Sequence, residues 1–197
     1  SQQAYCYLSQ TGSVYSWGNN SYGGNSLHLA KDISKNIVKI IASERGFCAL
    51  RNDGKVFSWG YGGEYLNYNI DEENSDYIDI FHGWTSYFAG LKKNGRIYVW
   101  GEKIFDTWNS QWFSERNKTI KAQYYSHGIV GLRQDGTLNY VGRLGQYSGH
   151  ENIQSQKTNL KNIKEIYSNS LGILCLKNDN TVFLAGGDGL THPTHGI

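Results

Sequence analysis

Proline is almost missing from this chain: a single one, Pro193, stands near the end of 197 residues. A Pro-rich disordered segment is excluded, and no predicted strand has a proline inside it to break its hydrogen-bond ladder. A strong charge of either sign is missing as well. The net charge is +2, with Lys and Arg scattered, so the broad electropositive footprint of a nucleic-acid binder is absent. No apolar run approaches the eighteen or so residues that a membrane-crossing helix requires. The opening residues SQQAYCYLSQ lack the charged and apolar regions of a secretory signal. The setting expected from these absences is a cytoplasmic protein that engages neither membrane nor nucleic acid.

Catalytic signatures are missing too. There is no G-x-S-x-G elbow, no H-E-x-x-H and no G-x-x-x-x-G-K-[ST] phosphate loop. Glycine-rich Gly186-Gly187-Asp188-Gly189 follows a predicted strand, but no helix pattern comes after it to supply a phosphate-binding terminus. His192 and His195 are the one close histidine pair, without a third ligand nearby. His82 and His127 fall in loops where a base could sit, yet no Ser, Cys or carboxylate partner pairs with either. The expectation is a protein that is not an enzyme, with no catalytic residue, metal or cofactor. Three cysteines make an odd count, and Cys6, Cys48 and Cys175 all fall on core positions of predicted strands, as free buried thiols in a reducing compartment would.

What is present is glycine and aromatic: 24 Gly, 15 Tyr and 6 Trp, a palette that favours strands and tight turns. The stretch Leu50 to Gly60, LRNDGKVFSWG, reads as a β-hairpin, with Asn-Asp-Gly as the turn between two apolar strands. The same frame returns at Leu8 to Gly18, Leu91 to Gly101, Leu132 to Gly142 and Leu176 to Gly186. Its closing glycines lie at 18, 60, 101, 142 and 186, a period of about 41 residues, inside the range that marks propellers and solenoids. Hairpins are therefore predicted at 5–18, 47–60, 88–101, 129–142 and 173–186. Before four of them stand leading β-like segments, Ile37 to Ile41, Tyr77 to Phe81, Thr119 to Ala122 and Ile163 to Tyr167. The first repeat has no such segment, which leaves Ser1 to Gln3 or the tail Thr191 to Ile197 to supply a strand and close a ring. The fold class predicted is all-β, a single β-propeller domain over 1–197 with about five short blades. The recurring Trp17, Trp59 and Trp100 are assigned to packing.

These repeats resemble those of the regulator of chromosome condensation family, whose blades carry a hairpin ending in Trp-Gly and a Gly-rich continuation. Gly18-Asn19-Asn20-Ser21-Tyr22-Gly23-Gly24 after Trp17 matches that continuation, and Gly142-Arg143-Leu144-Gly145-Gln146 echoes it. The resemblance implies a β-propeller. The short period is also similar to the propeller-type β-lactamase inhibitory proteins, whose likeness implies a rigid protein-binding scaffold.

Function is sought where the repeats disagree. Between Lys55 and Lys92 there is no Lys or Arg, while Glu64, Asp71, Glu72, Glu73, Asp76 and Asp79 all fall there. Aromatics surround them: Tyr61, Tyr65 and Tyr68 before, Tyr77 within, Trp84 and Tyr87 after. Acid beside aromatic suits a hot-spot surface for a basic protein partner. Trp108 and Trp112 lie outside the repeat frame, and Tyr125, His127 and Tyr147 belong to loops at the same expected end of the blades as Tyr22 and Tyr61. The predicted partner-binding set is Tyr61, Tyr65, Asp71, Glu72, Glu73, Asp76, Trp84, Trp108, Trp112, Tyr125, His127 and Tyr147. The expected function is that of a monomer that binds and inhibits or neutralises one protein, as an enzyme inhibitor or toxin-immunity protein does. The alternatives are a small-GTPase regulator, which the family resemblance implies, and a lectin that stacks sugars on Trp and Tyr.

Overall fold

The structure, a computed structural model, describes residues 1–61, 74–82, 87–101, 118–125, 128–142, 160–169 and 172–185. In chain order its strands are β1 (Ala4–Leu8), β2 (Val14–Gly18), β3 (Ile37–Ala42), β4 (Gly46–Arg51), β5 (Val56–Gly60), β6 (Tyr77–His82), β7 (Tyr87–Lys92), β8 (Ile97–Gly101), β9 (Thr119–Tyr125), β10 (Gly128–Arg133), β11 (Leu138–Gly142), β12 (Ile163–Ser168), β13 (Ile173–Lys177) and β14 (Val182–Ala185). They form one small antiparallel sheet per repeat: β1-β2, then β3-β4-β5, β6-β7-β8, β9-β10-β11 and β12-β13-β14. The chain divides into two compact units, Ser1–Gln111 and Trp112–Ile197. Three of the sheets lie in the first unit and two in the second.

Every predicted hairpin forms, and its turn chemistry explains why. Asp53 accepts a hydrogen bond from the Lys55 N–H at 3.2 Å, and Asn94, Asp135 and Asp179 each accept one from the N–H two residues on at 2.9 Å. An Asx side chain thus holds four of the five turns closed, and in the first the Ser9 hydroxyl accepts from the Ser13 N–H at 2.9 Å instead. Gly54 takes φ +84°, which a β-carbon would resist. Asn180 fills the equivalent place in the last repeat at φ +66°, a left-handed conformation that Asn tolerates.

The leading segments are strands, and each carries a bulge just after its start. Pairing jumps from Ile37 to Lys39, from Tyr77 to Asp79 and from Ile163 to Glu165, so Val38, Ile78 and Lys164 drop out of the ladder. In β9 the slip falls at Ile120. The ejected Val38, Ile78 and Ile120 are exposed. Just before three of these strands Asn36, Asp76 and Asn162 adopt positive φ, and the first strand N–H then reaches back to the preceding hairpin turn. Ile37 donates to the Gly12 carbonyl at 3.0 Å, Tyr77 to Gly54 at 3.0 Å and Ile163 to Gly136 at 2.9 Å. Successive sheets within each unit are tied at their turn ends in this way.

Packing follows one rule. Within each unit, successive sheets pack face to face. Ala4, Cys6, Leu8 and Val14 of the first sheet pack on Phe47, Ala49, Phe57 and Trp59 of the second. Cys48, Leu50 and Val56 on the second sheet's other face pack on Phe88 and Trp100 of the third. Val130 and Leu132 pack on Ile173 and Cys175 in the same manner within the second unit. Ion pairs join neighbouring leading strands, Lys39 to Asp79 at 2.6 Å and Lys121 to Glu165.

All three cysteines are free. Burial pushes the Cys6 thiol up to about 11 and the Cys175 thiol up to about 12, and raises fully buried Cys48 further still. A thiolate-directed disulfide reagent at pH 8 is therefore expected to label Cys6 slowly and the other two only after unfolding. Rapid native labelling of Cys48 would contradict the packing just described.

Two predicted features change in the structure. Ser1 to Gln3 add no strand to the first sheet; the Gln2 N–H donates to the Glu44 carbonyl and the Gln3 carbonyl accepts from Asn19. The tail Thr191 to Ile197 lies outside the described residues. Trp17, assigned to packing with Trp59 and Trp100, is 53% exposed, whereas they are 1% and 4% exposed. The reason is positional: Trp17 lies on the face of the first sheet opposite the one that packs on the second, and no described sheet covers that face.

Candidate protein-binding site

The continuation after Trp17-Gly18 is a short hydrogen-bonded turn. The Asn19 side chain accepts from the Ser21 N–H at 2.9 Å, and its amide donates to the Gln3 side chain at 2.9 Å. Gly23 closes the turn at φ +90°, where the nearest heavy atom to an added β-carbon would be Phe47 Cδ2 at 2.7 Å. The Gly23 carbonyl then accepts the buried Trp59 indole N–H at 3.0 Å. One tryptophan of the frame thus fixes the loop of the preceding repeat, and that loop carries Tyr22.

Opposite it lies the connection between β3 and β4. Arg45 extends from this connection between two rings, its guanidinium carbon 6.0 Å from the Tyr22 centroid and 5.4 Å from the Tyr61 centroid. The Arg45 carbonyl accepts from the Tyr61 N–H at 3.0 Å, and Glu44 approaches the Arg45 Nε at 3.9 Å. Ser1 Oγ donates to the Tyr22 carbonyl at 2.9 Å. The Arg45 side chain remains 43% exposed. A guanidinium held over tyrosine faces, with its backbone anchored, has little freedom left to lose on binding. Arg and Tyr are also the residue types that dominate binding energy at protein interfaces.

Of the residues predicted for partner binding, Tyr61 is in this cluster. Asp76 is exposed but stands at the other end of the second blade, where its carbonyl accepts from the Lys93 N–H at 2.8 Å beside the Gly54 turn. Tyr125 ends β9 in the second unit. Tyr65, Asp71, Glu72, Glu73, Trp84, Trp108, Trp112, His127 and Tyr147 lie outside the described residues. The structure therefore separates Tyr61 from Asp76, which sequence proximity joins, and brings Tyr61 to Arg45, which sequence reading did not single out. Arg45 has no frame position to mark it; its loop placement between Tyr22 and Tyr61 was the available signal.

Among the described residues no three His, Cys, Asp or Glu side chains gather as metal ligands. No described helix is long and apolar enough to cross a membrane. Three carboxylates are held below their ordinary range: Asp53, Glu165 and Asp179, the last by hydrogen bonds from the Thr181 hydroxyl and N–H. Asp53 is lowered first by its hydrogen bond from Arg51, against some burial. Glu165 is raised most by burial, but hydrogen bonds from Lys121 and the Ile166 N–H outweigh that and lower it. A lowered folded-state carboxylate stabilises the fold above its unfolded value and loses that contribution as the pH falls through its folded value. The second unit is therefore expected to lose stability as the pH drops below about 4.5, and Glu165→Gln should flatten that slope. An unchanged slope in urea titrations at several pH values would remove this pair from the account.

Residues 2–23 match the family model described as the regulator of chromosome condensation (RCC1) repeat. The matched stretch is the first repeat, its hairpin and the glycine-rich turn that follows. Three solved structures show the same fold over nearly the whole chain. The ectodomain of the Physcomitrella patens receptor kinase CR4 matches at a TM-score of 0.64 with 18% identity, over 98% of this chain and 52% of that one. The CRINKLY WD40 ectodomain of the Arabidopsis thaliana receptor kinase ACR4 matches at 0.64 with 14% identity, over 99% and 68%. Prp20p of Saccharomyces cerevisiae, described with its binding to Gsp1p and histones, matches at 0.59 with 16% identity, over 94% and 56%. Among curated proteins none matches the sequence significantly. The fold is thus the β-propeller of about five short blades that the repeat period predicts, and the chain spans roughly half to two thirds of the length of these relatives.

Proposed function

We propose that this RCC1-type propeller is a non-enzymatic protein-binding scaffold, and that it holds its partner at the loop end of the second blade. The observation that carries this reading is the Tyr22–Arg45–Tyr61 cluster, an exposed cation between two rings whose backbone is anchored by hydrogen bonds. Repeat scaffolds present such loops on a rigid framework, so little ordering cost remains at binding. In its finer form the proposal is inhibition or neutralisation of the partner, as by an enzyme inhibitor or toxin-immunity protein. The acidic run Asp71-Glu72-Glu73 would steer a basic partner surface from long range.

The test is parallel affinity capture from the native cell with the wild-type chain and with Arg45→Ala and Tyr61→Ala. A protein retained by the wild type and lost with both variants is the expected result, with affinity reduced about tenfold or more for each. Equal retention by both variants would contradict the site. Reversing the three acidic charges should slow association and flatten its salt dependence while leaving dissociation largely unchanged. A second reading, a small-GTPase regulator, rests on the likeness to the chromosome condensation family. It requires accelerated nucleotide release from a candidate GTPase, and no acceleration would dismiss it.

A further inference from the structure

Arg51 and Arg45 both stand over aromatic rings, and only Arg51 has its guanidinium fork filled. Arg51 lies over the Phe57 ring at 4.9 Å. Its Nε and Nη2 donate to the two carboxylate oxygens of Asp53 at 3.0 and 2.9 Å, and its Nη1 donates to the Asp32 carbonyl at 3.2 Å. The ring attracts the cation, while the carboxylate takes up its N–H donors two at a time.

Arg45 repeats this arrangement without the acceptor. Its guanidinium carbon stands 6.0 Å from the Tyr22 centroid and 5.4 Å from the Tyr61 centroid. Among the described residues no carbonyl or carboxylate comes within hydrogen-bond distance of its side chain; Glu44 approaches Nε only to 3.9 Å. Ring faces leave the N–H donors of a guanidinium without acceptors, and the side chain is 43% exposed, so an incoming group can reach them. The backbone beneath is fixed on both sides, with the Glu44 carbonyl accepting from the Gln2 N–H at 2.9 Å and the Arg45 carbonyl from the Tyr61 N–H at 3.0 Å. The donors are therefore held in place before any partner arrives.

We propose that Arg45 receives a side-chain carboxylate, an aspartate or glutamate of the partner protein, as Arg51 receives Asp53. This rests on the partner site at Tyr22, Arg45 and Tyr61 and names the group that enters it. The planar fork matches a carboxylate bidentately. A phosphate group, carrying about −1.5 to −2 charges, is matched by a cluster of arginines. Here one guanidinium stands alone with the Glu44 carboxylate beside it, a balance that favours a singly charged anion. The steering assigned to Asp71-Glu72-Glu73 concerns the partner's wider surface, and the contact at Arg45 needs a single carboxylate within it.

The test is selection from a random peptide library on the full wild-type chain, with peptides fused at their C-termini so that only side chains offer carboxylates. Retained sequences are expected to share an Asp or Glu. In amidated synthetic copies, replacing that residue by Asn or Gln should weaken binding about tenfold, as should Arg45→Lys, which keeps the charge and loses the fork. Both changes together should cost no more than either alone, because they remove the same contact. Glu44→Gln should tighten binding of the acidic peptide, since a competing carboxylate is gone, and far-UV circular dichroism verifies that each variant is folded. Peptides lost with Arg45→Ala but indifferent to their own acidic residue, or equally bound by Arg45→Lys, overturn the carboxylate and leave the binding site standing. A phosphoserine copy that binds the wild type more tightly than the aspartate copy also overturns it. Peptides bound regardless of Arg45, or no retained peptide at all, overturn this proposal, and the former counts against the site beneath it as well.

Discussion

Trp59→Ala is expected to lower the stability of the first unit by about 3–5 kcal/mol, the range for removing a large aromatic from a packed core. Three roles converge on this side chain. It is 1% exposed, it stacks on Phe47 at 5.6 Å, and its indole N–H is donated to the Gly23 carbonyl at 3.0 Å. Truncation leaves a cavity and an orphaned carbonyl together, and it releases the loop that carries Tyr22. Trp17→Ala, at the same frame position, is expected to cost about 0.5 kcal/mol or less, because the ring is half in water. Urea unfolding followed by far-UV circular dichroism separates the two. Equal costs would contradict the claim that no described sheet covers the Trp17 face of the first blade.

Gly60→Ala is the second large effect. Gly60 has φ +85°, and an added β-carbon would stand 2.7 Å from the Arg45 carbonyl oxygen, 2.8 Å from Gly46 Cα and 2.9 Å from the Gly23 nitrogen. All three are backbone atoms, which cannot swing aside as a side-chain tip can. The left-handed backbone costs about 1–2 kcal/mol for a residue with a β-carbon. Displacing packed neighbours adds about 1–3 kcal/mol. Because the three atoms belong to the Gly23 loop, the β3–β4 connection and β4, the substitution should also separate Tyr22, Arg45 and Tyr61 and so weaken partner capture. A Gly60→Ala protein with the wild-type urea midpoint would show that the closing glycine of the frame is not required by close backbone approach.

Much of the fold is legible in the sequence because a frame repeated five times averages out local ambiguity. The Asx-Gly turns, the period of about 41 residues and the burial of Trp59 and Trp100 follow from it directly. The frame misleads at Trp17, since a repeat position records which face a side chain occupies and not whether a neighbour stands there. The bulges are less legible. Val38, Ile78 and Ile120 are apolar residues inside the leading segments, and nothing in their residue type announces the slipped register that leaves them exposed. Asp76 looked like part of an acidic surface, yet it shares its place with Asn36 and Asn162, where a left-handed backbone favours Asx residues. Aligning the residue before each leading strand would have given that reason. Arg45 was beyond such alignment, because its role depends on two loops from different repeats meeting around it.

The most direct test of the account is photo-crosslinking in the native cell, with a benzophenone amino acid placed at position 61 in one protein and at position 53 in another. Position 61 lies beside Arg45 at the loop end of the second blade, and position 53 lies in the hairpin turn at its other end. A partner adduct from position 61 that is absent from position 53, and that disappears when Arg45→Ala is added, is the predicted result. Equal adducts from both positions, or an adduct from position 53 alone, would contradict a binding site built on Tyr22, Arg45 and Tyr61.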